Sequence, residues 1–178
     1  ALQELNHSGT MEKLERLIAE GSNLDAQVKV GFRDLETNCG VANYGRPKSV
    51  TALHFAVDKK KSVMVKRLLS AGVDVNIQSA TNGKTALNEA IDTEADIDII
   101  DKLIAAGTDT EIPCQYEQTP LFRAVRLQAP DSVERLLAAG SKVNTVNNLQ
   151  KTPLIDAVCA PFLCLLFQKA HRTHKNDV

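Results

Sequence analysis

The chain reads as an all-α solenoid: about five stacked helix–turn–helix units with projecting turns, and a long insert in the first connection. Two recurring phrases and one set of helical stripes predict it. The first phrase is Thr51-Ala-Leu-His-Phe-Ala56, Thr85-Ala-Leu-Asn-Glu-Ala90, Thr119-Pro-Leu-Phe-Arg-Ala124 and Thr152-Pro-Leu-Ile-Asp-Ala157, whose threonines lie 34, 34 and 33 residues apart. The second is Leu17-Ile-Ala-Glu-Gly21, Leu68-Leu-Ser-Ala-Gly72, Leu103-Ile-Ala-Ala-Gly107 and Leu136-Leu-Ala-Ala-Gly140. Two unrelated phrases that keep one period of about 33 residues are the signature of stacked repeats. Between them run apolar residues at helical spacing: Val65, Leu68 and Leu69; Ile100, Leu103 and Ile104; Val133, Leu136 and Leu137.

Each element follows from local chemistry. Met11, Leu14, Leu17 and Ile18 share one face of a first helix, which Gly21 ends because a left-handed stop has no room for a side chain. An earlier helix near Leu2–Leu5 is joined to it through Ser8-Gly9. In every later unit Thr stands at the helix N-cap, where its hydroxyl can accept an orphan backbone N–H. Pro120 and Pro153 occupy the first helical position, where a missing N–H costs nothing. Leu53, Leu87, Leu121 and Leu154 are expected in the core, and Ala56, Ala90, Ala124 and Ala157 keep the helices slim enough to approach closely. Thr85 to Gly107 spans 22 residues against 21 in its neighbours, so the extra residue is expected around Thr93-Glu-Ala-Asp96.

From Gly21 to Thr51 the chain runs 30 residues, where the later intervals take 12 or 13. Gly31, Gly40, Gly45 and Pro47 rule out a long helix in the insert at 26–49. Such a loop in a compact fold is either functional or disordered. Phe32, Tyr44 and Arg46 favour a contact surface.

Composition narrows the function classes. At 178 residues the chain is one domain of ample core size. A net charge of -1 offers no field for nucleic acid or for an acidic membrane. No apolar run reaches the roughly 20 residues of a membrane span and no signal peptide is evident; the start at Ala1, already inside a helical pattern, suggests a piece of something longer. Cys39, Cys114, Cys159 and Cys164 form no CxxC pair and no zinc spacing, which favours reduced thiols and an intracellular home. His171 and His174 lack a third ligand at a sensible spacing, and Cys159 and Cys164 sit in an apolar stretch with no base nearby. Asp96, Asp98 and Asp101 with Glu94 suit the positive end of a helix. There is no phosphate loop, GxSxG or HExxH, so no enzyme, cofactor or metal is expected.

Helix, turn, helix, glycine and projecting turn at 33 residues, with the Thr-Pro-Leu-His-x-Ala phrase, resembles the ankyrin repeat. The resemblance implies repeats at about 1–25, 50–83, 84–117, 118–150 and 151–178. Only His54 keeps the histidine of the phrase, with Asn88, Phe122 and Ile155 in its place elsewhere, and only Gly9 keeps the glycine between helices. By the resemblance, His54 is a hydrogen-bonding brace between a turn and the neighbouring repeat. A solenoid of this kind presents its inner helices and its finger-like turns to a partner. Phased on each Thr, the exposed inner positions are expected to be Phe55, Asp58 and Lys59; Glu89 and Asp92; Arg123 and Arg126; and Asp156. Finger tips add Asn82, Lys84, Tyr116, Glu117, Asn148 and Gln150. The expectation is a protein or peptide partner in a mixed-charge groove, held in a scaffold, adaptor or regulatory role. The rival is a small anionic ligand, a nucleotide or oligonucleotide, on Arg123, Arg126, Lys59 and Tyr116. A last stretch, Ala160-Pro-Phe-Leu-Cys-Leu-Leu-Phe167, is too apolar for a closing helix, and some further packing partner is expected over Phe162–Phe167.

Overall fold

The computed structural model describes residues 18–20, 22–30, 48–115 and 117–158. Three helix pairs form its body: α1 (Ala52–Asp58) with α2 (Ser62–Ser70), α3 (Ala86–Asp92) with α4 (Ile97–Ala105), and α5 (Pro120–Arg126) with α6 (Pro130–Ala138). The first helix of every pair is 7 residues long and the second 9. Residues 153–158 are helical again, and 18–19 end an earlier helix. The helices α1, α3 and α5 pack side by side in one layer; α2, α4 and α6 do so in a second, and each pair closes across the two.

The repeated phrases do what their chemistry implies. Thr51, Thr85 and Thr119 cap α1, α3 and α5, each side chain accepting the N–H three residues on, and Thr152 accepts from Ile155 N–H at 3.3 Å. Leu53, Leu87 and Leu121 are at most 2% exposed in successive layers, and Ala56, Ala90 and Ala124 are fully buried between them. Ile99, Ile100, Leu103, Val65, Leu68 and Leu136 complete the core from the second layer. Gly72, Gly107 and Gly140 end the second helices at φ 77, 82 and 86°, where glycine avoids the Cβ clash. Leu154 departs from its series at 71% exposed. Leu53, Leu87 and Leu121 lie in units whose second helix is described, whereas the residues that follow 158 lie outside the described ones.

The extra residue of the second pair lies where expected. Lys61, Ala95 and Ala129 N–H donate to Ala56, Ala90 and Ala124 carbonyls at 2.9, 2.8 and 3.0 Å, so all three inter-helix turns close alike. Asp96 is then added as the N-cap of α4. In each turn a non-glycine residue holds a left-handed backbone: Lys60, Glu94 and Gln128, at φ 52, 48 and 56°.

Each connection ends in a tight hairpin-like finger. Ser79 N–H donates to Lys84 O, Cys114 N–H to Gln118 O and Asn147 N–H to Lys151 O, at 2.8 to 3.0 Å. The all-α solenoid carries one short ribbon at the first connection, where β1 (Val28–Val30) pairs antiparallel with β2 (Lys48–Val50). Val28 faces Val50, which immediately precedes the capping Thr51 just as Lys84 precedes Thr85. The strands are thus the ordinary finger pair extended by two further pairs, Lys29 with Ser49 and Val30 with Lys48. Runs of three residues carry no readable alternation, so the sequence pattern could not show them.

Polar side chains stitch the connections together. Asp25 Oδ1 accepts from Asp74 N–H, Asn76 Oδ1 from Asp109 N–H and Glu111 Oε1 from Lys142 N–H, at 2.9 to 3.1 Å. Alongside them Gln27 Nε2 donates to Gln78 O and Gln78 Nε2 to Pro113 O, at 2.8 and 2.9 Å. The register established at Gln27 is therefore the same as at Gln78.

Left-handed backbone at an L-residue costs roughly 1–2 kcal/mol, against which glycine's extra unfolded-state freedom weighs about 0.5–1 kcal/mol. Gln128→Gly, at an exposed turn, is expected to raise stability by about 0.5 kcal/mol. A urea melt checks it; an unchanged or lower midpoint contradicts the strain argument.

Candidate functional site

The inner layer places charged side chains of two successive units within reach of one another. Lys84 enters from the finger before Thr85, Glu89 and Asp92 from α3, and Arg123 from α5. Lys84 Nζ lies 2.5 Å from Asp92 Oδ2 and 3.3 Å from Glu89 Oε2. Arg123 Nε donates to Asp92 Oδ1 at 2.7 Å, its Nη2 pairs with the same oxygen, and its Nη1 donates to Gln118 Oε1 at 3.2 Å. Asp92 is the hub: its side chain is only 4% exposed and it holds one cation on each oxygen. Burial works against the Lys84 charge, but Glu89 and Asp92 outweigh it, and the Lys84 pKa is raised above its ordinary value.

A second network lies one unit earlier. His54 Nε2 donates to the Lys84 carbonyl at 2.9 Å, which leaves Nδ1 to accept from the Thr51 hydroxyl at 2.9 Å. This is the brace between turn and neighbouring repeat that the resemblance implied. Asn88 repeats it in the next unit, its Nδ2 meeting Thr85 Oγ1 and Ile112 O, both at 3.3 Å. Phe122 cannot; it is buried as core, and Thr119 Oγ1 instead meets Thr145 Oγ1 at 3.3 Å. Desolvation lowers the His54 pKa below 6.5, only partly offset by the Lys84 carbonyl and Glu89. Around it Val50, His54, Phe55, Asp58, Ser79, Asn82 and Glu89 line a shallow notch between α1 and the finger.

The expected contact positions divide accordingly. Arg126 and Glu117 are exposed, and Asn82, Lys59 and Asp156 are half-buried. Lys59 Nζ stands 5.9 Å from the centre of the Phe55 ring and 3.6 Å from Asp58 Oδ2. The expectation of exposure is corrected at Phe55 and Glu89, which are 6% and 8% exposed, and at Asp58, Asp92 and Arg123. The charges of Glu89, Asp92 and Arg123 are spent on the ion pairs with Lys84 and with each other, and the Asp92–Arg123 pair joins one unit to the next. Gln118, which orients Arg123, escaped the sequence reading. Its signal was the interval of five shared by Lys84–Glu89 and Gln118–Arg123 across a capping Thr. Phe32, Tyr44, Arg46 and Tyr116 lie outside the described residues, as do Cys39, Cys159, Cys164, His171, His174 and the apolar stretch 160–167. Cys114 is buried as a free thiol. Among the described residues no group of three metal-ligating side chains converges, and no helix is long and apolar enough to cross a membrane.

Short helix pairs repeated at a constant interval, joined by fingers and knit by an inner polar face, define a repeat solenoid of the kind that presents a surface. The chain belongs to the ankyrin-repeat family: the family model described as Ankyrin repeats (3 copies) matches residues 5–111 and again 90–177. No curated protein matches it. Ankyrin repeats are generally protein–protein interaction modules, and the family is generally non-catalytic.

Two outcomes test the networks. Asp92→Ala leaves Lys84 and Arg123 partly buried without their shared counter-ion, and a loss of roughly 2–3 kcal/mol is expected in chemical unfolding. His54 has a folded pKa below its unfolded value, so falling pH protonates the unfolded chain first. Its contribution is complete above about pH 6.5 and is lost as the pH falls below that toward the lowered value. Melts between about pH 5 and 7 are expected to show this slope, and His54→Asn, which copies the Asn88 arrangement without a titrating ring, to flatten it.

Proposed function

We propose that this chain is a non-catalytic binding module that takes a protein or peptide partner along the inner layer and its fingers, as a scaffold, adaptor or regulator within the cell. The supporting observation is the Lys84–Asp92–Arg123 relay which, together with the His54 bond to the Lys84 carbonyl, ties three successive units into a pre-set surface. A partner docking there pays little to order this side of the contact. The side chains left to grip it are those at its rim: Arg126, Glu117, Asn82 and Lys59, with Phe32, Tyr44, Arg46 and Tyr116 as further candidates. Arg and Tyr are frequent interface anchors. Repeats at about 1–25, 50–83, 84–117, 118–150 and 151–178 belong to the same reading, and a reducing compartment suits the buried Cys114 thiol.

The rival, a nucleotide or oligonucleotide on the same face, loses ground on charge. Arg123 is committed to Asp92, and Lys59 lies beside Asp58. The cations are balanced by carboxylates, so no positive field is left over for phosphates.

The double variant Arg126→Glu, Glu117→Lys is expected to lose most partner capture in an affinity pull-down while keeping the native melting temperature. Capture that survives this reversal moves the contact surface elsewhere, to the extended first finger before any other part. Thermal-shift measurements with nucleotides are expected to show no stabilisation.

A further inference from the structure

Ser62 opens α2 directly after Lys59-Lys60-Lys61. Its hydroxyl reaches across to α4, donating to Asp98 Oδ2 at 2.5 Å and accepting from Lys102 Nζ at 3.0 Å. Lys102 pairs with that same Asp98 oxygen, and Lys66, one turn further along α2, adds its field to the carboxylate. An anion thus already sits on Lys102 Nζ and the Ser62 hydroxyl. It is held there by a side chain that is 58% exposed and can turn to water.

The first turn of α2 is built unlike those of α4 and α6. Those helices carry Asp98 and Asp131 near their starts, whereas α2 has no acidic residue there; none of the three N-cap residues, Lys61, Asp96 and Ala129, makes a side-chain cap. An uncapped turn frays readily, and fraying offers an extended segment to a partner enzyme. Lys60 and Lys61 are exposed, and Val63, on the other side of Ser62, is 63% exposed.

We propose that Ser62 is a phosphorylation site for a kinase that reads the three preceding lysines, and that its phosphate replaces the Asp98 carboxylate on Lys102. In the transfer Ser62 Oγ bonds to the γ-phosphorus of magnesium-bound ATP. The bond to the bridging oxygen breaks and ADP leaves, while the hydroxyl proton passes to the kinase's catalytic carboxylate. The product places about two negative charges at a helix start that lacks any, beside Lys102. Asp98 is repelled and swings out. The edge formed by Lys59–Lys61 has about two of its three positive charges offset, which alters what it can attract. The inference is independent of where a protein partner docks. Ser70, which has Arg67 three residues before it, is the competing acceptor on the same helix. It lies at the other end of α2, its hydroxyl bonded to Lys66 O at 2.9 Å, where a phosphate meets the negative end of the dipole.

The test treats the folded chain with magnesium ATP and the catalytic subunit of cyclic-AMP-dependent protein kinase, a kinase selective for basic residues ahead of the acceptor. One phosphate on Ser62 is expected by fragment mass spectrometry, absent in Ser62→Ala and incorporated at least about tenfold more slowly in Lys60→Gln, Lys61→Gln. In ³¹P NMR the phosphate is expected to lose its second proton below about pH 6, the ordinary value, and Lys102→Gln to bring it back. No incorporation, or incorporation on Ser70 alone, overturns the site. A second ionisation at or above the ordinary value, unmoved by Lys102→Gln, overturns the exchange with Asp98.

Discussion

A helix of seven residues does not persist alone in water, where roughly 12–15 are needed for even marginal stability. Among the described residues, α1, α3 and α5 have that length, so none of them exists except by lateral burial against the next. Ala56, Ala90 and Ala124 make that burial possible, because a methyl group is all that fits between backbones packed this closely. Leu53, Leu87 and Leu121 then fill the space above them. The stability of the protein is a sum of such contacts between neighbours, and each unit is only as secure as the unit beside it.

The connections face a complementary difficulty. Extended and turning backbone leaves N–H and C=O groups without helical partners, and burial makes such groups costly. Side chains of one connection meet this need in the next: Asp25, Asn76 and Glu111 accept successive N–H groups, and Gln27 and Gln78 satisfy successive carbonyls. The repeat period therefore serves two ends, alignment of apolar faces and alignment of these polar rungs. It also explains how the first connection tolerates added chain. The rung at Gln27 is in register, the finger pair at Val28 and Val50 is in register, and the additional residues are confined to the far side of that pair.

On the inner face the same units are joined by charge. Lys84, Asp92 and Arg123 span two consecutive units, and their contacts remove from the surface several groups that a linear reading assigns to a partner. What remains outward is a rim of Arg126, Glu117, Asn82 and Lys59 around a rigid, internally neutral centre. Such a surface discriminates by the placement of a few polar groups on a stiff frame. Its overall charge has little to contribute.

The period, the capping threonines, the helix-ending glycines and the small residues of the inner layer were all legible in the chain, because each is a local requirement repeated at one spacing. So were the family and the position of the extra residue at Asp96. The fate of a polar side chain was not legible, since it depends on what a neighbour some thirty residues away supplies. Asp92 and Arg123 look like solvated groups until α3 and α5 lie side by side, and Gln118 looks like a loop residue until Arg123 is beside it. The strands β1 and β2 escaped for a related reason: three residues carry no periodicity, and their pairing is dictated by the finger they prolong. Local chemistry names the elements, whereas partnership across layers is a property of packing and appears only once the layers are stacked.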